Sequence, residues 1–185
     1  MYRDNTLMPT EAVRLAALGA FAGAEMRYAE LAEDVRHFTD RIIGPALDLS
    51  GVPVELMIVE GLIEPVDGAG MRENARLRLT DAGWDALRHL LCSNVRAPIN
   101  DINKLIIGLK MRFLHLLTPD ERCRQVKMLV SMLEAELDRL TDLRATYAGE
   151  PGYFLDWLDQ DIAAARERLA WFTELRDRLV GASDV

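Results

Sequence analysis

The chain has 185 residues, of which 50% are hydrophobic and 28% charged, and its 30 Asp and Glu outnumber 22 Lys and Arg for a net charge of −8. This is the composition of a globular protein of one domain or two small ones, and it disfavours indiscriminate binding to polyanions. The opening MYRDNTLMPT has no basic stretch leading into an apolar one, and no apolar run approaches the ~18 residues that span a bilayer, so a cytoplasmic protein without membrane contact is expected.

Charge is unevenly spread. Residues 1–94 hold 9 Arg, no Lys and 15 Asp or Glu, and residues 132–185 hold 6 basic and 12 acidic side chains. Only residues 95–131 are net basic, with Arg96, Lys104, Lys110, Arg112, Arg122, Arg124 and Lys127 against three acids. The cysteines, Cys92 and Cys123, are too few for a disulfide framework and are not at metal-ligand spacing, so both are expected as reduced thiols.

Thr10 can cap a first helix with Val13, Leu15, Ala16, Leu18 and Phe21 at helical spacing, closed by Gly23. A second runs from Tyr28 through Leu31, Val35 and Phe38 to a break at Gly44-Pro45. Ser50 is placed to cap a third, with Pro53 in its first turn and Gly61 at its end. That third helix, in SGVPVELMIVEG, has no Lys or Arg. Val54, Met57 and Ile58 form an inward stripe, while Val52, Leu56 and Val59 line the other side.

Beyond Gly61 the period becomes two. Leu62-Ile63-Glu64-Pro65-Val66 and Ala75-Arg76-Leu77-Arg78-Leu79, joined by a Gly-containing loop, read as a hairpin with Leu77 and Leu79 on one face and Arg76 and Arg78 on the other. Thr80 caps a fourth helix, with Ala82, Ala86 and Leu90 along one side. The second half is helical throughout. A helix over about Asn100 to Leu117 is followed by the cap Thr118-Pro119-Asp120-Glu121 and a long helix. In that long helix Val126, Val130, Leu133, Leu137 and Leu140 alternate steps of four and three, the spacing of a seam against another helix. Gly149-Glu150-Pro151-Gly152 breaks it, and a last helix carries Phe154, Trp157, Leu158, Ile162, Ala165, Leu169, Trp171, Phe172 and Leu179.

The string GLIEPV…RLRLTDAGWDAL, with its Leu-Thr-x-x-Gly-x-x-x-Leu, resembles the wing and following helix of winged-helix regulators. Together with the long heptad-like helix and the aromatic-bearing last one, most of the chain resembles the PadR family of transcriptional regulators, especially its AphA-like branch. The resemblance implies a mainly α protein: an N-terminal winged helix-turn-helix with a two-stranded wing over residues 1–92, and a C-terminal helical dimerisation domain over 93–185. It also implies a homodimer on double-stranded DNA of unknown operator, with a small-molecule effector left open and no cofactor. Two features depart from the family pattern. The first helix lacks a Gly-Tyr pair, and the third lacks the basic or amide side chains that read base edges.

With no cation on the third helix, DNA contact is expected from Arg36, His37 and Arg41 ahead of it, from Ser50 at its start, and from the wing residues Arg72, Arg76 and Arg78. Dimerisation is expected from Val126, Val130, Leu133, Leu137 and Leu140 and from Phe154, Trp157, Trp171 and Phe172. The alternative is a degenerate winged-helix protein that binds a partner protein or small ligand, a reading favoured by the apolar third helix and the acidic total. Catalytic and metal sites are not expected. His89 and His115 stand alone, Asp34-x-x-His37 occurs once where a di-metal bundle needs it twice, and Asp156, Asp159 and Asp161 read as a solvated helix side.

Overall fold

The computed structural model describes residues 7, 9–44, 54–66, 75–95 and 97–183, and over these the chain is mainly helical with one small antiparallel sheet. The chain divides into two compact units, one running to Ser93 and taking in Asp101–Leu117, the other comprising Asn94–Asn100 and Thr118–Val185.

The first unit is built around α1 (Pro9–Gly23). Its Ala12, Leu15, Ala16, Ala17, Leu18, Ala20 and Phe21 are all buried, as expected of a helix apolar on every side, and it packs on α2 (Tyr28–Ile43), α4 (Asp81–Leu91) and α5 (Asp101–Phe113). Helix α2 is amphipathic and buries Leu31, Val35 and Thr39 at steps of four, with the Thr39 hydroxyl donating to the Val35 carbonyl. Helix α5 buries Leu105, Ile106, Leu109 and Phe113. It lies so close to α1 that a Cβ on Gly19 would fall 2.3 Å from the Phe113 ring. This approach ties α5 to the N-terminal unit, whereas the sequence places residues 93 onward in the C-terminal part. The helix is also shorter than expected: it stops at Phe113 and a 3-10 turn over Leu114–Leu116 completes the stretch to Leu117.

Short α3 (Val54–Val59) ends in a turn where Gly61, at φ 72°, donates its N–H to the Ile58 carbonyl at 2.9 Å. The chain then enters β2 (Ile63–Pro65), which pairs antiparallel with β3 (Arg76–Leu79) in the register Ile63↔Leu79, Glu64↔Arg78 and Pro65↔Leu77. A third strand, β1 (Met26–Arg27), joins the far edge of β3 through Met26↔Leu77 and Arg27↔Arg76. The sheet is therefore three-stranded, in the order β1-β3-β2, rather than the two-stranded wing expected.

The Leu-Thr-x-x-Gly string acts where β3 meets α4. Thr80 accepts the Gly83 N–H at 3.1 Å as N-cap and donates its hydroxyl to the Gly61 carbonyl at 2.6 Å. A Cβ on Gly83 would lie 2.0 Å from the Leu62 carbonyl oxygen. Because that backbone faces Gly83, the inner stripe of α4 is Gly83, Leu87, Leu90 and Leu91, rotated from the expected Ala82, Ala86 and Leu90, and Ala82 is exposed.

The second unit is a helical hairpin of α6 (Pro119–Thr146) and α7 (Phe154–Ser183). Thr118 and Glu121 close a reciprocal cap with Pro119 at the first helical position, as the sequence indicates: the Glu121 carboxylate accepts the Thr118 N–H at 3.0 Å and the Thr118 hydroxyl accepts the Glu121 N–H at 3.4 Å. Leu140 of α6 packs with Leu158, Ile162 and Ala165 of α7, flanked by Leu137 and Leu143, and Arg144 pairs with Asp159 across the two helices.

Candidate nucleic-acid interface

Strand alternation builds a basic face that several described elements share. Along β3, Leu77 and Leu79 are buried and Arg76 and Arg78 are exposed, as the period of two indicates. Cross-strand partners point to the same side, so the outer face of the sheet carries Arg27 opposite Arg76, and Glu64 opposite Arg78. Arg78 binds Glu64 at 2.8 Å, with both side chains about half exposed. Arg27 lies 3.9 Å from Glu30, whose other oxygen accepts the Arg27 backbone N–H at 2.8 Å. Among the described residues Arg76 reaches only the Glu25 carbonyl, at 3.5 Å.

Two guanidinium groups directly opposite on adjacent strands repel each other, and solvent-exposed Arg–carboxylate pairs return little of that energy. The like charges of Arg27 and Arg76 at paired positions are by themselves unfavourable to folding. A phosphate oxygen would relieve the repulsion, and such exposed pairs exchange partners readily. Sequence reading missed Arg27 because a two-residue strand is too short to show alternation; the residue follows Gly23 in GAEMRYAEL with no local strand signal.

Three of the other expected DNA contacts lie on α2. Arg36, His37 and Arg41 are exposed along the second half of α2, and Arg41 stands 14 residues beyond Arg27, a rise of ~21 Å along a helix. Ser50 and Arg72 lie outside the described residues, as does Arg96. Helix α3 turns Val54 and Met57 inward and leaves Leu56 at 49% and Val59 at 82% exposed, so within one chain its outer side is open and apolar. Glu60 beyond its end is tied back to Arg14 of α1 at 2.6 Å.

The net-basic stretch of the sequence is not uniformly a surface: Lys104, Arg124 and Lys127 are exposed, whereas its central lysine is buried. Lys110 is 1% exposed, and its ammonium donates to the carbonyls of Leu91 and Ser93, both at 2.6 Å, where α4 ends. Burial pulls its pKa down to about 7, against a smaller upward pull from Cys92. Its place on the apolar side of α5, four residues after Ile106 and three before Phe113, was a legible hint of burial. Arg112 pairs with Asp34 at 2.8 Å and lies 5.0 Å from the centroids of both the Phe38 and Phe113 rings. Among the described residues no cluster of His, Cys, Asp or Glu is placed to hold a metal ion. No helix is long and apolar enough to cross a membrane among the residues described.

Of the residues expected at a dimer interface, Val126, Val130, Leu133, Leu140 and Phe172 are buried within a single chain and Leu137 is half-buried. The heptad-like spacing of α6 is met at its C-terminal half by the chain's own α7, folded back across the turn. Phe154, Trp157 and Trp171 instead stand 39%, 58% and 48% exposed.

Over residues 2–176 the sequence matches a protein-family model described as "Putative AphA-like transcriptional regulator". No curated protein matches the chain.

Proposed function

The chain belongs to the AphA-like family of transcriptional regulators, and from that membership we propose a cytoplasmic homodimer that binds duplex DNA through a winged helix of PadR-like type over its N-terminal part and dimerises through its C-terminal helices, with no catalytic role. The observation that carries this reading is the outer face of the small sheet, where Arg27, Arg76 and Arg78 stand exposed on the side away from the core. Phosphate and minor-groove contact need no cationic helix in the major groove, which suits an α3 without Lys or Arg. Arg72, which lies between β2 and β3 in the sequence, and Arg36, His37 and Arg41 on α2 are candidates to extend the contact, and Ser50, which precedes α3 in the sequence, is another.

The test is a gel shift against sheared genomic fragments at two salt concentrations. Arg76→Glu with Arg78→Glu is expected to weaken binding to every fragment alike, because phosphate contacts carry no sequence information, and to leave the oligomeric state unchanged. Retention of wild-type binding by that variant would remove the sheet face from the interface.

A second reading is favoured by one specific observation, the exposed Leu56 and Val59 on α3. A partner protein with an apolar groove would fit that helix, and the N-terminal unit would then dock protein rather than nucleic acid. Absence of any shift at low salt, with wild type and variant alike, would turn the assignment to this reading.

A further inference from the structure

Helix α7 has two apolar faces. Leu158, Ile162 and Ala165 pack onto α6, with Phe172 also buried. About 100° round the helix a second stripe advances by alternating steps of three and four: Phe154, Trp157, Asp161, Ala164, Arg168, Trp171, Leu175. None of these seven is buried. Phe154, Trp157 and Trp171 are 39%, 58% and 48% exposed, Ala164 and Arg168 are exposed, and Asp161 and Leu175 are half-buried. Phe154 stacks on Trp157 at 6.0 Å, and Trp171 meets buried Phe172 edge-on at 4.8 Å, so the aromatic side chains are held in place.

Outward from Ala164 the stripe repeats itself in both directions. Trp157 lies seven residues before and Trp171 seven after; Phe154 lies ten before and Leu175 eleven after; Asp161 lies three before and Arg168 four after. Neither Asp161 nor Arg168 has an ion-pair partner among the described residues.

We propose that α7 pairs antiparallel with α7 of a second copy of this chain, about a twofold axis at Ala164. Trp157 then packs on the partner's Trp171, Phe154 on the partner's Leu175, and Asp161 on the partner's Arg168, each contact made twice as an isologous interface requires. Ala164 meets itself on the axis, where a small side chain lets two helices approach to ~8–10 Å. A parallel pairing would set Asp161 on Asp161 and Arg168 on Arg168, so the charges select the antiparallel register. The two hairpins together form a four-helix bundle with the α6 helices outside. This inference rests on the homodimer reading above and specifies its geometry.

The test uses the full chain in sedimentation equilibrium. Asp161→Arg and Arg168→Asp are each expected to raise the dimer dissociation constant ~10-fold or more, since each sets like charges opposite one another twice, and the two together are expected to return it to within ~3-fold of wild type. Ala164→Cys, in a chain whose two native cysteines are Ser, is expected to form an interchain disulfide under mild oxidation, which reports the register directly. Circular dichroism checks that each variant keeps its helices. A dimeric wild type whose single variants associate unchanged, or whose Ala164→Cys form does not cross-link, overturns the α7 register and leaves the homodimer standing. A monomeric wild type at tens of micromolar overturns both.

Discussion

Lys110 and the sheet arginines show how charge alone misleads at the scale of a residue. Lys110, in the net-basic stretch of the sequence, is consumed in holding the end of α4, while Arg27, from a net-acidic stretch, joins the exposed face. The Lys110 environment makes stability depend on pH. Burial lowers its pKa in the folded chain to about 7 from an ordinary 10.5, so between those values the unfolded chain holds one more proton and stability rises with pH. Below pH 7 the cost of burying the ammonium is fully present. Lys110→Met leaves the Leu91 and Ser93 carbonyls without this donor, which costs about 1–3 kcal/mol. Urea denaturation of wild type and Lys110→Met from pH 6 to pH 9.5 should therefore show the gap widening in favour of wild type as pH rises. A gap that is flat or narrows would mean Lys110 stays charged in its site throughout.

Elements were legible where a local rule acts and illegible where tertiary packing decides. The caps at Thr80 and Thr118, the alternation in Arg76–Leu79 and the mainly helical class follow from side chains bonding to neighbouring backbone or alternating across a strand. Strand β1 was not legible, because two residues of β3's free edge define it, nor was the rotation of α4, which the Leu62 carbonyl sets. That carbonyl yields a second expectation. Gly83→Ala forces a backbone shift at the junction of α3, β2 and α4 and should destabilise the chain by about 1–3 kcal/mol in thermal or urea unfolding, whereas exposed Ala82→Gly nearby should cost at most ~1 kcal/mol. For α3 the open outer side leads to a third. Leu56→Glu, at 49% exposure, should melt within about 0.5 kcal/mol of wild type, and a larger loss would show that the side chain is covered in the assembled protein.

Across the whole molecule, a chain of net charge −8 carries a small basic face on its sheet. The net charge of −8 opposes loose association with nucleic acid, so on the proposed reading affinity for DNA comes from a few well-placed contacts repeated in a dimer. Why the candidate site was only half legible follows from the same economy: Arg76 and Arg78 announce themselves by alternation, Arg27 reaches them only through a strand pairing 49 and 51 residues away in sequence, and the α7 stripe is apparent only once the inner face of that helix is known. A dimer displays the three arginines twice, up to six phosphate contacts, for which the log–log dependence of affinity on salt has a slope of about −5. Fluorescence anisotropy of a bound genomic fragment across a salt series measures that slope. Wild type is expected to bind duplex DNA with a slope of this size, and the Arg27→Glu, Arg76→Glu, Arg78→Glu chain to lose both affinity and slope while remaining a dimer. Wild-type affinity and slope in that triple variant, or no binding by wild type even at low salt, would contradict the assignment of the sheet face to DNA.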